Sequence, residues 1–149
     1  MGLDMYLYKK TYVKYWEHNG DDNYEITITK NGKPVDFDTK NISYLVEQVG
    51  YWRKAKQVHQ WFVENVQEGN DNCGSYYVSR ENLLELLELC NQVLDKKEMA
   101  EELLPSHSGF FFGGTDYDEW YYNGIDNTIE ILKEALEDER GDYYYSSSW

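Results

Sequence analysis

The chain has little cysteine, proline or positive charge, and no long apolar run. Cys73 and Cys90 are the only cysteines in 149 residues. That is too few for a disulfide scaffold, and there is no paired C-x-x-C of a zinc site. Such thiol usage fits a reducing cytoplasm, where a bridge is allowed but not implied. Nothing approaches the ~20 consecutive apolar residues that cross a bilayer. The opening MGLDMYLYKK carries acidic and polar residues within its first ten, so it does not read as a signal peptide. With no internal repeat and no linker, the expectation is one soluble, cytoplasmic domain over residues 1–149.

Cations are scarce in one half only. Lys and Arg total 14 against 28 Asp and Glu, a net charge of -14. Residues 1–60 hold 9 cations and 8 acids, whereas residues 61–149 hold 5 and 20. Phosphate backbones need clustered cations, so direct nucleic-acid binding is excluded as an expectation, and so is an anionic membrane. A basic protein surface remains a fitting partner, because complementary fields steer encounter. Acidity also serves plain solubility.

What is present is a globular composition: 41% apolar residues and 17% aromatic ones, with 15 tyrosines. The mean hydropathy of -0.79 describes a wet surface. Tyrosine buries a ring and keeps a hydroxyl at the boundary, which suits small cores, recognition surfaces and homo-oligomer interfaces alike.

Residues 41–67 dominate the pattern. Leu45, Val49, Trp52, Ala55, Phe62 and Val66 recur at helical spacing, which predicts one long central helix with His59 on its apolar stripe. Arg53, Lys54 and Lys56 form its cationic patch, with no acid between Gln48 and Val63. Before it, residues 3–16 predict a strand. Residues 24–30 and 33–37 predict a hairpin about Asn31-Gly32, with Pro34 at an edge. After it, 68–75 is a loop, 76–78 a short extended piece, and Ser79 the N-cap of a second helix. That helix carries Leu83, Leu86, Leu87, Cys90 and Leu94 on one face. Residues 96–104 extend it or form a separate helical turn, and Pro105 stops it. Asp116 to Glu119 has capping-box form. Asn123-Gly124 is expected to break that turn before a third helix over 125–138. Residues 142–145 read as a last strand that pairs with the first. The expected fold is α+β: a small antiparallel sheet of N-terminal strands and a C-terminal strand, packed by about three helices.

Several groupings could carry chemistry. Trp52, Arg53 and His59 together would stack a planar ligand and meet an anion. The same residue types are also found in an ordinary aromatic core. The segment from Gly109 to Gly114, followed by Thr115, encloses Phe110, Phe111 and Phe112 between glycines. It would serve as a ligand-covering loop with exposed N–H groups, or as a core plug; it matches neither a P-loop nor a dinucleotide fingerprint. Cys73 with His59 or His107 is the nearest approach to a nucleophilic pair, and it lacks any activating local context. His107, Asp116, Asp118 and Glu119 have no recognised metal-ligand spacing, so neither metal nor cofactor is expected. Glu98, Glu101 and Glu102, with Glu134, Glu137, Asp138 and Glu139, suit solvated helix faces. With Asp116, Asp118 and Glu119 they would also suit a surface that imitates nucleic-acid phosphates.

The strings MGLDMYLYK, YWRKAKQVHQWFVENVQ, CGSYYVS, AEELLP and GFFFGGTDYDEWYY, in that order, resemble a family of small proteins of tailed bacteriophages and prophages. The resemblance covers nearly the whole chain and brings no catalytic residue with it. It implies a non-catalytic accessory protein that antagonises a host antiviral defence by stoichiometric binding. Two mechanisms follow. In one, the acidic surface, including Glu98, Glu101, Glu102, Asp116, Asp118 and Glu119, covers a basic, nucleic-acid-binding surface of a host protein. In the other, Trp52, Arg53, His59, Phe111, Gly113 and Thr115 line a pocket between the central helix and the Phe-Gly loop. That pocket would sequester a nucleotide-like signal. A small hydrolase is the third alternative.

Overall fold

The structure, a computed structural model, describes residues 2–106 and 117–149. The fold is α+β. In chain order it comprises β1 (Asp4–Tyr12), a hairpin of β2 (Thr29–Lys30) and β3 (Lys33–Pro34), and β4 (Tyr44–Arg53). Then come α1 (Lys56–Asn65), β5 (Ser75–Val78), α2 (Arg80–Asp95), the single turn α3 (Ala100–Leu103), α4 (Glu119–Glu137) and β6 (Asp142–Ser148). Four strands form one antiparallel sheet in the order β4-β1-β6-β5. As expected for the last strand, it pairs with the first, from Asp4 opposite Ser148 to Lys10 opposite Asp142.

The expected central helix over 41–67 is not formed. Its first half is the edge strand β4, paired with β1 from Tyr44 opposite Tyr12 to Arg53 opposite Asp4, with a bulge at Leu7/Tyr8. Only residues 56–65 are helical. The reason is local: Tyr44, Val46, Val49, Tyr51 and Trp52 are strand formers. Gly50 fits only an element laid flat against α4, since a Cβ there would lie 2.5 Å from Ile131 Cγ2. Leu45, placed on the helical stripe by its spacing, is 44% exposed. Lys54 takes a left-handed conformation (φ 57°) and turns the strand into α1, an uncommon position for a non-glycine residue.

The other departures are smaller. Asn31 and Gly32 both have positive φ, as a tight two-residue hairpin requires. The hairpin ladder nevertheless holds two residues per strand, so 24–28 and 35–37 are not strand. Asn123-Gly124 does not break a helix; it lies inside α4. A Cβ at Gly124 would come within 2.8 Å of Gln57 Nε2, so the glycine serves close packing of α1 on α4. Asp118 caps that helix by accepting from the Tyr121 N–H at 3.1 Å. Ser79 caps α2 in a reciprocal box with Asn82.

The two faces of the sheet differ. Leu3, Met5 and Leu7, with Trp52, Tyr143 and Tyr145, are buried with the apolar stripes of α1, α2 and α4. The opposite face presents Tyr6, Tyr8 and Tyr12 from β1, and by register Tyr44 and Tyr51 from β4. Tyr144 of β6 and Tyr77 of β5 complete it.

Candidate functional site

The strand-to-helix corner at Arg53–Lys56 faces the first turns of α4 across a cavity of about 400 Å³. That volume falls in the range of small-molecule pockets. From the corner come Arg53, Lys54 and Lys56; from α4 come Trp120 and Asn127, with its N-cap Asp118. The corner is tied to the start of β1 and to α4 by two hydrogen bonds: the Lys54 N–H donates to the Leu3 carbonyl at 2.8 Å and Gln57 Nε2 donates to the Tyr121 carbonyl at 3.0 Å. Both Arg53 and Lys54 are exposed, and among the described residues neither forms an ion pair. The first turn of α1 has no side-chain cap and no acid, so its partial positive charge adds to that of the cations. Trp120 is 83% exposed, an indole with a free face at the rim.

Among the described residues, Arg53 is thus the one predicted ligand residue that keeps an exposed polar group at this cavity. Trp52 forms its floor, but its ring is 1% exposed and its indole N–H donates to Thr128 Oγ1 at 2.8 Å. It is a core residue, not a stacking platform. His59 lies elsewhere, 2% exposed, between Tyr145 and Asp71. Its Nδ1 is 2.7 Å from the Tyr145 hydroxyl and its Nε2 2.9 Å from Asp71 Oδ1. Burial pushes the Tyr145 phenol well above its ordinary pKa, so the hydroxyl stays protonated. Both ring nitrogens are engaged in holding the core together. Phe111, Gly113, Thr115, Asp116 and His107 lie outside the described residues.

No sequence pattern assigns Trp120 or Asn127 to a site. The signal for Trp120 was present: a tryptophan in a run of acids and tyrosines, without an apolar partner at helical spacing.

The acidic residues do not gather at this cavity. Glu98, Glu101, Glu102, Asp118 and Glu119 are all exposed. Glu102 borders a second depression of about 290 Å³ with Glu64 and Glu85, whereas Asp118 borders the cationic one. Among the described residues no group of three or more His, Cys, Asp or Glu is placed to hold a metal ion. Cys90 is buried, and its thiol is pushed up to about 12 by desolvation; Cys73 is exposed. No helix among the described residues is long and apolar enough to cross a membrane. No family model, curated protein or solved structure matches the chain.

Proposed function

We propose that the chain is a non-catalytic binding protein that takes a planar, anionic, nucleotide-like ligand in the cavity between the Arg53–Lys56 corner and α4. One observation carries this: in a protein of net charge -14, two exposed cations without ion-pair partners among the described residues line a cavity beside an exposed tryptophan. Arg53 meets an anionic group through its forked donors, Lys54 adds a point charge, and Trp120 stacks the planar part. The resemblance to phage accessory proteins supplies the setting, sequestration of a nucleotide-like signal of host defence. The test is titration with a panel of mono- and dinucleotides, followed by intrinsic tryptophan fluorescence. Arg53→Ala removes charge-assisted hydrogen bonds of roughly 1.5–3 kcal/mol, at least a tenfold loss of affinity, with an unchanged thermal midpoint. Unaltered affinity in that variant rejects the cavity as the site.

A second function is favoured by the acids that the helices carry outward. Glu81, Glu85 and Glu88 on α2, and Glu130, Glu134 and Glu137 on α4, are exposed. A basic host surface docked there dissociates at high salt. Retention of a host protein at high salt rejects that mode.

A further inference from the structure

From the open face of the sheet we infer that the chain forms a two-fold dimer, with the tyrosine-covered face of one copy packed on the same face of a second. The face shares Arg53 with the rim of the proposed ligand cavity, but the two are tested by different variants: Arg53→Ala for the cavity, Tyr51→Asp and Tyr77→Asp for the face.

The face is built for contact. Tyr6 and Tyr8 stack at 5.9 Å between ring centroids, and Tyr6 packs on Tyr51 at 5.5 Å. Tyr77 meets Tyr144 edge-on at 5.9 Å. These rings brace one another, so little side-chain freedom remains to be lost on binding. Even so, Tyr51 is 41% and Tyr77 57% exposed. Tyrosine is among the residues enriched in the buried centres of protein interfaces.

Charge selects the occupant. The charged residues of this face balance in number, two acids against two cations: Asp4 stands opposite Arg53, and Asp142 opposite Lys10. The Tyr51 hydroxyl donates to Asp4, and the Lys10 ammonium lies 4.5 Å from the centre of the Tyr144 ring. A phosphate backbone or a basic protein gains nothing from a neutral face. A second copy presents the same neutral face. It also leaves both acidic helical layers outermost, roughly 30 Å or more apart for sheets stacked at about 10 Å. That is more than three Debye lengths of about 8 Å at physiological salt. Any dimer that joined the helical faces would bring the acids together instead.

The area suffices. Four strands at about 4.8 Å spacing and up to ~30 Å long give a flat area of roughly 450–600 Å². Side-chain relief raises it toward the about 800 Å² per partner of a standard interface.

The test is sedimentation of the full chain over a wide concentration range, at low and high salt. The expected species has twice the 17.7 kDa chain mass, and its dissociation constant is unchanged or lower at high salt, because the net charges repel. Tyr51→Asp and Tyr77→Asp, both at exposed positions, each raise that constant at least tenfold while circular dichroism stays unchanged. Glu134→Lys on the helical side leaves it within about twofold or lowers it. A monomer at every concentration overturns the inference. So does a dimer that survives both tyrosine variants, or one that forms only with added nucleic acid or a host protein.

Discussion

The ring of Tyr145 lies flat on that of Phe62, with centroids 3.9 Å apart and planes inclined by 7°. Its hydroxyl is bonded to His59. Strand β6 is thereby fixed to α1 through one side chain that packs with its face and bonds with its tip. Tyr145→Phe keeps the stack and removes the hydroxyl, leaving His59 Nδ1 buried without this bond. The expected cost is about 1–3 kcal/mol. It is measured by urea denaturation with an unchanged slope, and nucleotide affinity is unaltered. A variant that lost binding but not stability would move His59 from the core to the site.

Gly50 is opposite Leu7 in the sheet and beneath Ile131 of α4. Gly50→Ala drives a methyl group to 2.5 Å from Ile131 Cγ2 and 3.2 Å from Leu7 Cβ. Overpacking of this kind costs typically 1–3 kcal/mol. Ile131→Ala removes the clashing carbon, so the double variant is less destabilised than the sum of the two single ones. Simple additivity would show that β4 and α4 do not touch there.

These two contacts also separate what the sequence shows from what it hides. Alternation about Leu3, Met5 and Leu7, the Ser79 cap and the Asn31-Gly32 turn are local signals, and each element they predict is present. The break at Lys54 carries no local signal, because the turn there uses a lysine at positive φ rather than glycine. Strand-forming residues from Tyr44 to Trp52 happen also to fit a helical stripe, so period alone could not decide. Asn123-Gly124 misleads for the opposite reason. Its glycine answers a tertiary demand from Gln57 that no window along the chain contains. The site inherits both errors: Arg53 was legible as a cation, but Trp120 becomes its neighbour only once α1 and α4 are packed.

The two thiols should separate by reactivity. Cys73 is exposed, whereas Cys90 is buried with its ionisation disfavoured up to a pKa of about 12. Thiolate is the reacting species. An aromatic disulfide reagent in native buffer is expected to label one thiol per chain quickly, and the second only at the rate of unfolding. Two fast thiols would mean that α2 opens far more readily than its burial indicates.

Asp138 joins the end of α4 to the sheet. Its carboxylate accepts from Arg140 Nε at 3.0 Å, from Arg140 N–H at 2.9 Å, and from Lys9, which is buried on β1. Arg140 first and Lys9 second hold its pKa well below the usual carboxylate range. A group whose folded pKa is depressed contributes stability above its unfolded value, about 3.9, and loses it as pH falls toward the folded one. The stability difference between the native chain and Asp138→Asn is therefore constant above about pH 5. It shrinks as the solution is acidified below about pH 4. Lys9→Met, which removes one of the two cations at Asp138 and with it the 3.2 Å pair to Glu47, moves the acid unfolding midpoint upward, while Arg140 still lowers the Asp138 pKa in that variant. If Asp138→Asn and the native chain instead show parallel acid limbs, the ion pairs contribute nothing to folding. The junction of α4 and β6 would then rest on the hydrogen bonds from the Tyr143 hydroxyl to the Ala135 and Asp138 carbonyls and on apolar burial.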